Sequence, residues 1–155
     1  MENIVLDTNC LVRIVPQKAK YHLLWNKIIL GDVHLFVTHK IMLEYEDVLA
    51  VEYGKDIADF VILTLLTLPN IHLVDVSYRF NLITIDPDDN EFVDCAIASN
   101  AKCIVTNDKH FKVLKEKNVW PEVEVKKLQE YCKYLKSTTL SGTSRRKAAK
   151  PRKKK

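Results

Sequence analysis

At 155 residues, 47% of them apolar and 28% charged, the chain is long enough to bury the core of one ordinary domain and too apolar to be disordered. The net charge of +4 conceals a division. Residues 141–155, SGTSRRKAAKPRKKK, carry eight Lys and Arg and no acid, which leaves a body of 16 basic and 20 acidic side chains. No apolar run approaches the roughly 20 residues that span a bilayer, and the start MENIVLD is acidic where a signal peptide would be basic. The composition thus excludes a membrane protein, and a cytoplasmic location is expected.

Asn3–Leu6 is a continuous apolar run, the mark of a strand buried on both faces. Thr8–Val15 reads as a short helix ended by Pro16, and Tyr21–Leu30 as a second one stopped at Gly31. Val33–Val37 is the next strand, and Thr38 is placed to cap a helix reaching about Val51. A helix over Lys55–Leu68 ends at Pro69-Asn70, and His72–Val76 forms a third strand. After a loop closing at Asp86-Pro87, Asp88 or Asp89 caps a helix to about Asn100. Cys103–Val105 is strand four, Lys109–Lys117 a helix, Val123–Lys126 an edge strand and Leu128–Lys136 a closing helix. Helices alternating with short apolar strands predict a three-layer α/β/α sandwich around a mostly parallel sheet of four to five strands. Residues 1–136 would form that domain, and residues 137–155 a disordered basic tail able to grip phosphates without reading sequence.

The four cysteines, Cys10, Cys95, Cys103 and Cys132, lie in apolar stretches without a C-x-x-C pair, so buried free thiols are expected rather than a zinc site. The five histidines show no metal spacing. The acids carry more information. Asp7 follows the buried run Ile4-Val5-Leu6, and Asp108 follows Cys103-Ile104-Val105 by three residues, so both stand at the carboxyl ends of strands. In an open parallel sheet that edge binds ligands. On the third helix Glu44 falls at the border of an apolar stripe through Ile41 and Val48, while Glu46 and Asp47 point to water. Asp94 lies one turn after Asn90 on a helix whose buried face is Phe92, Val93, Ala96 and Ile97. Singly, each acid has a plainer explanation: Asp7 and Asp108 could simply cap the helices beginning after them. Together they would repel one another unless a hard cation lay between them.

The segments IVLDTN at 4–9, Glu44 in a mid-chain helix, and DPDDNEFVDCAIASNAKCIVTNDKHF at 86–111 resemble the PIN-domain family, most closely the toxin branch of toxin–antitoxin systems. The resemblance covers roughly residues 2–130. The D-T-N start is a weak signal by itself, and the D-D-N-x-F run through I-V-T-x-D a strong one. It implies a nuclease whose acids Asp7, Glu44, Asp94 and Asp108 bind Mg²⁺ or Mn²⁺, supported by Asn9 and Thr106 and bordered by Asp89 and Asn90. It further implies an RNA substrate, an antitoxin partner that covers the site, and a homodimer as one assembly to expect.

The expected chemistry is metal-assisted phosphodiester hydrolysis with one or two ions. An inactive PIN-like module that binds RNA or protein is the alternative from another class. Two other strand-end-carboxylate folds fit less well. A haloacid-dehalogenase phosphatase wants a second Asp where Asn9 stands, and a receiver domain wants a lysine where Thr106-Asn107-Asp108 stands.

Overall fold

The computed structural model describes residues 2–116 and 118–146, with side chains of the closing helix described as far as residue 139. Five strands form the sheet: β1 (Glu2–Leu6), β2 (Val33–Val37), β3 (Ile71–Leu73), β4 (Cys103–Val105) and β5 (Val125–Lys126). They lie in the order β3-β2-β1-β4-β5 and every pairing is parallel. Consecutive strand residues face opposite sides of a sheet, and Ile4, Val5 and Leu6 are all fully buried. Helices therefore cover both faces, as the apolar run predicts.

Six α-helices do the covering among the described residues: α1 (Thr8–Ile14), α2 (His22–Ile29), α3 (His39–Tyr53), α4 (Lys55–Thr67), α5 (Asn90–Ser99) and α6 (Leu128–Arg146). None is long and apolar enough to cross a membrane. Thr38 caps α3 as expected, its Oγ1 accepting the Ile41 N–H at 3.1 Å. Between α3 and α4 the chain turns at Gly54, whose φ of 88° lies where a side chain would be strained. α5 packs on β1, β2 and β4, and α2 on β2 and α6. The four cysteines are buried free thiols.

The connectivity decides where a ligand can sit. From β1 the chain moves to β2 and β3 on one side, then crosses back to β4 and β5 on the other. The strand order reverses between β1 and β4, and the crevice beyond their carboxyl ends is the topological switch point.

The main departures from the sequence reading are in β3, β5, the segment after Asp108 and α6. β3 ends at Leu73 because β2 ends at Val37: the Val74 N–H takes the Val37 carbonyl at 2.8 Å, and no further rung exists. β5 is limited to the two residues that pair with Ile104 and Val105. The segment expected as an α-helix from Lys109 is a 3₁₀ turn over Lys109–Lys115 that buries Phe111 and Leu114. Residues three apart eclipse in that geometry, so the tighter winding puts both apolar side chains on one line. α6 runs ten residues past its expected end at Lys136 to Arg146. The rest of the expected tail, 147–155, lies outside the described residues.

Candidate metal centre

Asp7 is the first residue beyond β1, and its N–H bonds the Val105 carbonyl at 3.0 Å, extending the ladder by one rung. That rung sets its carboxylate at the sheet's carboxyl edge. Although Asp7 occupies the N-cap position of α1, its side chain makes no cap hydrogen bond. Instead Oδ2 accepts from the Thr106 hydroxyl at 2.8 Å. The same Thr106 Oγ1 accepts the Asp108 N–H at 3.0 Å. One buried hydroxyl thus couples the acids at the ends of adjacent strands.

Asp108, by contrast, does act as a cap. Its Oδ1 accepts the His110 N–H at 2.9 Å and opens the 3₁₀ turn. Glu44 is fixed from α1, with the Thr8 hydroxyl donating to Oε1 at 2.6 Å. The adjacent Tyr45 donates its hydroxyl to the Leu6 carbonyl, which ties this turn of α3 to the end of β1. Asp89, at the N-cap of α5, also makes no cap bond. Its Oδ2 lies 2.8 Å from His110 Nδ1, and the same nitrogen is 3.5 Å from Asp108 Oδ1.

The electrostatics identify which acids have converged. Burial pushes the Asp7 carboxyl up to about 6, the Thr106 hydroxyl pulls it back, and the charges on Asp89, Asp108 and Glu44 push it further up. Burial also raises Asp89, opposed by the His110 hydrogen bond and reinforced by Asp108 and Asp86. His110 is raised in turn, chiefly by its hydrogen bond to Asp89. Among the described residues, Asp86, Asp89 and His110 offer ligand atoms within 4.8 Å of one another. A cleft of about 520 Å³ beside the cluster is lined by Asp7, Asn9, Arg13, Asn107 and Asp108.

Of the four expected ligands the structure gathers Asp7, Glu44 and Asp108, and it does not bring in Asp94. The Asp94 side chain accepts the Phe80 N–H at Oδ1 (3.1 Å) and has Arg79 Nη1 3.9 Å from Oδ2. The charges it senses are Arg79 and Glu91, not the cluster. Asp89, expected only at the border, stands in its place. The two acids are five residues apart, about 140° around a helix, so only one can face the strand ends. Asn90 does not face the cleft either. It holds the Ile83 N–H at 2.8 Å with Oδ1, and donates to the Ile83 and Pro87 carbonyls at 2.6 and 3.2 Å. With Arg79–Glu91 at 3.0 Å and the Phe80–Asp94 bond, it pins the long segment between β3 and α5 that delivers Asp86 and Asp89.

Sequence reasoning missed His110, Asp86 and Arg13. The local cue was Asp108-x-His110, a strand-end acid with an imidazole two residues on. The partner that gives His110 its meaning, Asp89, is 21 residues away in sequence.

A family model described as PIN domain matches residues 3–110 of the chain. Among solved structures, VapBC2 from Rickettsia felis, bound to a DNA fragment from its promoter, is similar at a TM-score of 0.55 and 19% identity, over 81% of this chain and 98% of that one. DNA-bound VapBC from Salmonella typhimurium is similar at a TM-score of 0.52 and 11% identity, over 83% of this chain and 99% of that one. No curated protein matches the sequence.

Proposed function

This chain belongs to the PIN-domain family, and from that premise we propose that it is a divalent-metal-dependent endoribonuclease. The observation that carries the reading is the meeting of Asp7, Glu44, Asp89 and Asp108 at the switch point of the sheet, where the charges on Glu44, Asp89 and Asp108 all raise the Asp7 carboxyl. Acids gathered round one buried carboxylate repel it and favour its proton. Carboxylate oxygens are the donors that Mg²⁺ and Mn²⁺ prefer, and a cation there would offset both the burial and the neighbouring charges that hold Asp7 near 6. Asp7, Asp89 and Asp108 would hold it, with Glu44 facing it from α3.

When bound, such an ion polarises a phosphate oxygen and makes a water acidic enough to attack. The protein's own groups prepare that step. Thr106 orients Asp7 and fixes the backbone of Asp108 through one hydroxyl. His110 holds Asp89 by the 2.8 Å contact that keeps its carboxylate turned toward the strand ends. With Oε1 engaged by Thr8, Glu44 keeps Oε2 to accept a proton from water.

RNA as the substrate, and an antitoxin as partner, follow from the resemblance to the toxin branch. A partner needs apolar surface to cover, and α4 exposes Ile57, Phe60, Leu63 and Leu66. The test is cleavage of a 5′-labelled single-stranded RNA with Mg²⁺ or Mn²⁺ against EDTA, for wild type, Asp89→Asn and Asp108→Asn. Metal-dependent cleavage by wild type alone is expected. An inert wild type with folded protein would favour the binding-module alternative, and activity retained in both variants would indicate a contaminating nuclease.

A further inference from the structure

Beside the acidic cleft runs a second groove, of about 560 Å³, and the two share Asn107 and Asp108. Its character is opposite. Lys109, Lys112, Lys115 and Lys127 line it, and none of the four makes an ion pair among the described residues. Its one acid away from the cluster, Glu130, is engaged by the backbone N–H of Lys127 at 3.3 Å.

The arrangement of the lysines follows from the 3₁₀ turn. Residues i and i+3 eclipse at three residues per turn, about 6 Å apart along the axis. Lys109, Lys112 and Lys115 therefore form one exposed column, while Phe111 and Leu114 are buried behind it. In an α-helix the same lysines would fan apart by about 60° per step. The column begins next to Asp108, and Lys127 lines the same groove. Its repeat is comparable to the step between successive phosphates of a single strand.

We propose that the Lys109–Lys112–Lys115 column with Lys127 is the track for the phosphate backbone of the RNA strand, holding the nucleotides on one side of the bond to be cut. The track rests on the nuclease reading for its direction and not for its chemistry. The body of the chain is acidic and its cleft repels a polyanion, so an aligned row of unpaired ammonium groups is what would bring a strand to the cluster. Lysine heads meet phosphates and leave bases unread, so binding by this track is indifferent to sequence.

The test reads binding without turnover. A fluorescein-labelled ten-nucleotide oligouridine is titrated with full-length protein in EDTA across a salt series, and anisotropy gives the affinity. Lys112→Ala/Lys115→Ala is compared with Lys133→Ala/Lys136→Ala, which removes the same charge from exposed positions on α6. The cations beyond residue 140 contribute equally to all three proteins. At about 0.7 counterions per phosphate, losing two contacts should lower the slope of log K against log salt by about 1.4 and weaken binding roughly 25-fold at 0.1 M salt. The α6 pair should bind as wild type does. Equal losses in both pairs, or none in either, would overturn the track. Lysine-dependent binding of an oligonucleotide that is never cleaved with metal would sink the nuclease reading and leave the track standing.

Discussion

Replacing Asp7 by Asn separates the electrostatic cost of the site from its use. Burial and three neighbouring acids hold the Asp7 carboxyl at about 6, against 3.8 for a free one. A carboxyl raised on folding binds its proton more tightly in the folded state. Stability is therefore undiminished below the unfolded value, declines as pH climbs from about 4 to 6, and carries the whole penalty above that. Two units at about 1.4 kcal/mol each put that penalty at up to about 3 kcal/mol. Asn carries no charge and keeps an oxygen for the Thr106 hydroxyl, so in EDTA at pH 7.5 Asp7→Asn should be the more stable protein. At about 2–4 °C per kcal/mol for a chain of this size, its Tm should exceed that of wild type by roughly 6–12 °C. Near pH 4 the two should coincide. Adding Mn²⁺ at a hundred times its Kd should stabilise wild type by about 2.7 kcal/mol and Asp7→Asn hardly at all, closing the gap. Differential scanning calorimetry at both pH values, with EDTA and with Mn²⁺, measures all four. An Asn variant less stable than wild type in EDTA at pH 7.5, or one that gains as much from Mn²⁺, would refute the reasoning.

Substitutions at three further residues test the assignments around Asp7. Thr106→Val deletes the hydroxyl shared by Asp7 and Asp108, and should weaken Mn²⁺ binding about 10- to 100-fold, as loss of a ligand-orienting group typically does; unchanged affinity by calorimetric titration would make Thr106 a packing residue. Glu44→Gln keeps an acceptor for Thr8 and should melt within about 4 °C of wild type, yet lose on the order of 10²–10⁴ in cleavage rate; wild-type turnover would reduce Glu44 to a tether. Asp94→Asn should leave metal binding and cleavage intact. Asp94→Ala strands the Phe80 N–H and should cost about 1–3 kcal/mol in urea unfolding; an inactive Asp94→Asn with native stability would return Asp94 to the site.

Much of the candidate site is legible in the sequence, because its signals are local. An acid directly after three buried apolar residues is at a strand end whatever the rest of the fold does, which locates Asp7, and Asp108 comes three residues after a second such run. Glu44 came from helical periodicity, since a charged residue on the border of an apolar stripe needs a reason. On α5 helical periodicity points to the wrong acid. Periodicity reports that a residue is buried and says nothing of what buries it. Asp94 is more deeply buried than Asp89 and so carried the stronger periodic signal, but its burial is against Arg79 and the Phe80 backbone.

The amino-acid sequence alone determined the fold class, the sheet with both faces covered, the strand-end acids and the division between an acidic body and a basic end. Each of these depends on residue type and short-range spacing. Tertiary structure alone decided that Asp89 and not Asp94 joins the cluster, that His110 meets a partner 21 residues away, and that the segment after Asp108 winds as a 3₁₀ turn with its lysines in a column. The physical reason is common to all three. A side chain's direction is set by the rotation of its element once that element is packed, and packing is a contest among segments distant in sequence.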